Sequence, residues 1–276
     1  MHPRLLPLVF PALLCAGVAA AQGLPTTQPT QLMIIREQVK LGRQAEHARI
    51  EAGWPAAFAK AKSPVHYLAM TTLTGANEAW FLVPYASNAA IGEDMRAQEA
   101  DTVLAAELQR LSRADAEVLT GARTIMTVAR PDLSHGPFPD LNRQRFWEIT
   151  VFRVRPGHGD AFEAAAKAYG AAAERTAPNT SYRVYQVSAG MPSPTFLVFS
   201  SVESFAQFDT MAATGQRIFQ SFTPDEMAAM NRFLSEGLIT DESNRYRLEP
   251  QMSYVSAETR ATDRAFWEPR RAARRP

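Results

Sequence analysis

One spacing constrains this chain more than its composition does: short motifs recur 115 residues apart. Val39-Lys40-Leu41-Gly42 returns as Val154-Arg155-Pro156-Gly157, and Phe81-Leu82-Val83 returns as Phe196-Leu197-Val198. The same displacement carries Tyr67 onto Tyr182, Trp54 onto Tyr169, and the helix breaker Pro55 onto the helix breaker Gly170. Several matches at one offset mark an internal duplication. A duplicated unit has to bury its apolar face against its neighbour, so the repeat governs the fold.

Each copy reads in the same order. In the first, an Ile-, Val- and Met-rich run at 32–39 ending at Gly42 predicts a strand and turn. Apolar residues at helical spacing (Ala45, Ile50, Trp54, Phe58) predict a helix over 44–62. Strands at 65–73 and 78–85 flank Thr74-Gly75-Ala76-Asn77, a hairpin signal. A long helix follows over 88–119, with Gly121 as its C-cap, and a strand at 124–129 ends the copy. The second copy gives a strand at 146–154, a helix at 160–175, a hairpin from 181–188 and 195–200, helical stretches near 202–211 and 224–238, and a strand at 239–248. The order β-α-β-β-α-β is the ferredoxin-like arrangement. The expected fold is therefore α+β: two tandem ferredoxin-like repeats, 32–130 and 146–250, whose open sheet faces pair into a barrel within one chain. Segments 22–31 and 131–145 read as linkers, the latter from Pro131, Gly136, Pro137 and Pro139, and 251–276 reads as an Arg-rich tail.

The V-[KR]-x-G turn after the first strand, the long helix behind it and the aromatic third strand resemble the dimeric α+β-barrel superfamily, over roughly residues 31–250. That superfamily includes antibiotic-biosynthesis-monooxygenase-like and NIPSNAP-like domains, and this chain is similar to a tandem, exported version. The resemblance implies a range of activities: cofactor-independent oxygenases, haem-binding and haem-degrading enzymes, and proteins without assigned activity. Fold alone does not choose among them.

Arg4, the apolar run 5–20 and the small-residue site Ala19-Ala20-Ala21 read as a cleavable signal peptide, 1–21. Leu14 before Cys15 argues against a lipid anchor. The expected compartment is the periplasm, with secretion as the alternative. Cys15 is the one cysteine, so the rest of the chain has no disulfide and depends on its core. The chain carries 29 basic and 28 acidic residues, a balance unlike the basic excess of a nucleic-acid binder. After the leader no apolar run reaches spanning length. A barrel closed within one chain needs no partner, so a monomer is expected, with a homodimer as the alternative.

His47, Glu51 and Trp54 lie at i, i+4 and i+7 and share a helix face. A carboxylate there can fix the tautomer of the imidazole, which casts His47 as a general base and Glu51 as its orienter. The second copy has Phe162, Ala166 and Tyr169 at these positions. The plainer reading is a solvated helix pair with Trp54 packed on the sheet. His66 and Tyr67 open the second strand, and alternation lets one of them face a cavity. Trp80, Tyr85, Trp147 and Glu148 complete the candidate ligand-binding residues, each with ordinary core packing as the alternative. No metal site is expected: H-E-x-x-H is absent and the histidines are scattered. No cofactor is expected either, a haem on His47, His66 or His158 being the alternative. The functional expectation is an exported protein that binds a small apolar or aromatic molecule in a barrel pocket. A cofactor-independent monooxygenase or isomerase with His47 as base is the second reading, and a haem-binding protein the third.

Overall fold

Alternating side chains decide the architecture. A computed structural model describes residues 23–269; the segment 1–21, where a signal peptide is expected, and the final arginines of the expected tail lie outside the described residues. The first half runs β1 (Gln31–Val39), α1 (Gln44–Glu51), α2 (Gly53–Ala61), β2 (Leu68–Thr72), β3 (Glu78–Tyr85), α3 (Asn88–Ala100), α4 (Thr102–Ala116) and β4 (Leu119–Ala129). The second runs β5 (Phe146–Val154), α5 (Gly159–Thr176), β6 (Arg183–Ala189), β7 (Thr195–Val202), α6 (Gln207–Gln220), α7 (Pro224–Arg232) and β8 (Leu238–Leu248). Two short helices, α8 (Ala257–Thr262) and α9 (Arg264–Trp267), follow. No helix among the described residues is long and apolar enough to cross a membrane.

The eight strands close into one antiparallel barrel in the order β1-β3-β2-β8-β5-β7-β6-β4. Each half thus contributes four neighbouring strands, β4-β1-β3-β2 and β8-β5-β7-β6. The seams match as well: Ala129 of β4 faces Tyr185 of β6, and Leu248 of β8 faces Met70 of β2. Both first strands are irregular at the same place, between Gln38 and Val39 and between Arg153 and Val154. Register corrects one detail of the motif alignment. Ile35 faces Phe81, whereas Thr150, its counterpart at the 115-residue spacing, faces Val198 and not Phe196. A two-residue slip leaves every side chain on its original face, so the pattern survives it.

Inward side chains fill the barrel. Leu32, Ile34, Trp80, Leu82, Trp147, Ile149, Leu197 and Tyr246 belong to one buried cluster, with Trp80 and Tyr246 rings 5.1 Å apart. At this level aromatic and branched side chains occupy the space, and Trp80 and Trp147 are core. Outward side chains of the sheet meet the helices instead. Residues 251–269, read as part of a tail, return to the barrel. Tyr254 pairs with Tyr67, and Val255 and Trp267 join the inner cluster.

Two long predicted helices are each broken. Pro55 has no N–H for the carbonyl of Glu51, four residues back, and the helix divides at Ala52 into α1 and α2. Asp101 divides the other by accepting from the N–H groups of Val103 and Leu104. The second helix then ends at Glu117, so Gly121 lies within β4 rather than at a C-cap.

Candidate functional site

Odd-numbered residues of β1 point away from the barrel, and Glu37 is the last of the row Met33, Ile35, Glu37. The next turn places α1 over this row. His47, buried at 2% exposure, then brings Nε2 to 2.9 Å from Glu37 Oε2. One turn on, Glu51 Oε1 lies 3.8 Å from the same nitrogen. The break at Ala52 turns Trp54 toward α4, where its indole N–H donates to Asp115 Oδ2 at 3.1 Å. Asp115 occupies this position because Leu104 and Leu111 of the same helix are buried against Ala57, Trp54 and Phe58. An apolar stripe thus ends in an acid at its deep end.

These groups close one end of a cavity of about 540 Å³ between the outer sheet face and the helices of the first half. Its walls are largely apolar and aromatic, with Met33, Ile35, Phe58, Phe81 and Val83 among them. Glu37, Glu51 and Asp115 face it at one end. At the other, Asp94 accepts from Tyr85 Oη at 2.6 Å and from Gln98 Nε2 at 2.9 Å. Glu51 Oε1, Asp115 Oδ1 and the Tyr67 hydroxyl are buried without a hydrogen bond.

Burial pushes the Glu51 carboxyl well above the ordinary carboxylate range, and the neighbouring Glu37 and Asp115 push it further. Asp115 is raised too, chiefly by burial, against the opposing hydrogen bond from Trp54. Tyr67 is driven upward by burial and then by Glu51 and Glu37. The cluster therefore favours protons or another positive charge over free carboxylates.

The sequence-derived candidates separate cleanly. Trp54, Tyr67 and Tyr85 line the cavity with Glu51, whereas His47 lies behind Glu37 and does not line it. His66 is turned away and stacks against Tyr254, ring centres 4.7 Å apart. Trp80 and Trp147 are inside the barrel, because even positions of β3 and odd positions of β5 point inward. Glu148 is on the outer face of the second half, where Arg245 Nε donates to it at 3.1 Å. Glu37 and Asp115 escaped the sequence reading. Their signals were an acid ending the outward row of a strand and an acid ending an apolar helix stripe.

A haem does not fit this site. None of His47, His66 and His158 lines the cavity.

No family model and no curated protein matches the sequence. Solved structures do match. One, from Lactobacillus acidophilus NCFM and assigned as a monooxygenase, has a TM-score of 0.50 and 8% identity over 83% of this chain and 100% of its own. Another assigned monooxygenase, from Fusobacterium nucleatum subsp. nucleatum ATCC 25586, has a TM-score of 0.52 and 9% identity over 79% of this chain and 91% of its own. A chlorite dismutase from Candidatus Nitrospira defluvii follows at a TM-score of 0.48 and 10% identity, covering 82% and 94%. At such identities the likeness of the first two is one of fold alone, an α+β barrel.

Proposed function

We propose that the chain is an exported, duplicated ferredoxin-like barrel, its repeats near 32–130 and 146–250, that binds a small apolar or aromatic molecule in its first half. The single carrying observation is the cavity of about 540 Å³, apolar along its walls and acidic at one buried end. Apolar walls supply affinity and a few placed polar groups supply orientation, the usual make-up of a small-molecule site. A flat aromatic body would lie between Phe81 and Phe58, with its polar end toward Glu37 and Glu51. Titration of the purified protein with 1-naphthol, followed by native mass spectrometry, is expected to give one molecule per chain. Val83→Phe places a ring in the cavity and should abolish that binding. Undiminished binding by this variant would sink the assignment.

The 2.9 Å contact between His47 and Glu37 favours a second reading, a cofactor-independent proton-transfer enzyme. In it Glu37 is the group that meets the ligand, and His47 is a positioning residue behind it. Catalysis by His47 toward a bound molecule runs through Glu37, a reversal of the roles expected from helical spacing. Loss of turnover in Glu37→Gln with ligand binding retained is the result this reading requires.

A further inference from the structure

The acidic end of the cavity holds more carboxyl oxygens than the neighbouring side-chain donors satisfy. Glu37, Glu51 and Asp115 converge there, all nine-tenths or more buried. Among the described side chains, donors to them are His47 and Trp54, and Glu51 and Asp115 also meet carboxyl to carboxyl. Glu51 Oε1, on a residue only 3% exposed, has none and is directed at His47 Nε2. Buried carboxylates left in this state are costly and call for a compensating positive charge.

Geometry narrows what that charge is. One ligand atom from each of Glu37, His47 and Glu51 lies within 4.8 Å of the others, and the two contacts to His47 Nε2 are 2.9 and 3.8 Å. An ion held by bonds of about 2.0–2.2 Å keeps neighbouring donors roughly 3–4 Å apart. We propose that Glu37, His47 and Glu51 bind a divalent first-row metal ion, with Zn²⁺, Mn²⁺ and Fe²⁺ the fitting class. One imidazole with two carboxylates suits these ions, whereas an all-oxygen cage would suit Ca²⁺ or Mg²⁺ and thiolates would suit Cu⁺. Nor is the cluster demanded by the fold, since Phe152, Phe162 and Ala166 occupy the matching places in the second half.

Glu37 and Glu51 both face the cavity. An ion between them leaves at least one coordination position open to a ligand, as catalytic metal sites do. This inference rests on the binding reading above and adds a substrate class: apolar or aromatic molecules that carry an oxygen donor, such as a phenolate, enolate or carboxylate. It competes with the proton-transfer reading, because a metal ion and a proton claim the same lone pairs of Glu37. Asp115, bonded to Trp54 and beside Glu51, is a positioning residue for the third ligand.

The test uses the full exported chain after chelator treatment, titrated with Zn²⁺, Mn²⁺, Fe²⁺ under reducing conditions, and Co²⁺ as a spectroscopic probe. Binding of one equivalent with Kd below about 1 μM is expected, with the visible absorption of four- or five-coordinate Co²⁺. Glu37→Gln and Glu51→Gln, similar in size to the native residues, should each weaken it at least about a hundredfold. Thermal unfolding of the metal-free variants checks that both remain folded. No stoichiometric binding by the wild type, or binding that survives both substitutions, overturns the proposal. Binding of 1-naphthol is measured in parallel, with and without metal. Naphthol bound without any metal uptake removes the metal centre and leaves the ligand pocket standing. Metal bound without naphthol retains the centre and removes the pocket reading.

Discussion

The two halves of the barrel use the same place between sheet and helices in opposite ways. In the first, Glu37, Glu51 and Trp54 border an open cavity, with His47 behind Glu37. In the second, Phe152, Phe162, Ala166 and Tyr169 stand at the corresponding positions, and the space is filled. Phe162 stacks on Phe196 with ring centres 4.0 Å apart, and Phe233 closes edge-on at 5.4 Å. Acids mark the difference as well. Burial and neighbouring carboxyls push Glu51 upward, whereas Arg175, helped by the Thr223 backbone, pulls the half-buried Glu226 down to about 2. One half is organised for packing. The other keeps groups that packing alone would remove, which is how a functional site departs from local rules.

The largest effect should come from opening the filled half. Phe162→Ala removes a ring that touches three others and is expected to cost about 3–5 kcal/mol, read by urea denaturation. A loss below about 1 kcal/mol would mean that the second half is not the tighter one. Next comes the reverse exchange. Copying the second half into the first with Glu37→Phe, His47→Phe and Glu51→Ala replaces a buried polar cluster by apolar groups. The metal-free triple variant should gain about 1–4 kcal/mol and lose 1-naphthol binding; a less stable variant would show that the cluster supports the fold. The smallest effect concerns Glu226. Its folded-state pKa is depressed below the ordinary 4.5, so its contribution is present above that value and lost as pH falls through about 2. Carboxyl NMR should find its midpoint there and should return it toward 4.5 in Arg175→Ala. An unchanged midpoint would assign the depression to the Thr223 cap instead.

Much of the fold was written in the sequence because similar motifs occur twice at one spacing. Strand positions and their order followed from Val39–Gly42 and its echo, and from alternation within each strand. The broken helices were harder to read: helical periodicity passes through Ala52 and Asp101, and only Pro55 and a cap residue betray the breaks. Part of the site was legible for the same reason. His47, Glu51 and Trp54 are close in sequence, and helix geometry alone brings them together. Glu37 approaches His47 only after the strand has turned at Gly42, and Asp115 reaches Trp54 across sixty-one residues. No local spacing records such contacts. Trp80 and Trp147, candidates for lining a pocket, instead follow their alternative reading as core inside the barrel, because composition does not say how tightly inward aromatic side chains fill a closed sheet.

The short bridges beyond the strands carry a consequence for how the molecule comes apart. After β4 the chain runs across to the second half, where His135 pairs with Tyr182; after β8 it runs back to the first, where Tyr254 pairs with Tyr67. Each half thus hands its trailing segment to the other, in addition to the seams between β4 and β6 and between β2 and β8. A cut in the connection between halves would leave two fragments still clasped around each other. Neither half can melt without releasing a strap that the other depends on, so the cavity and the filled aromatic layer are gained and lost in one cooperative event.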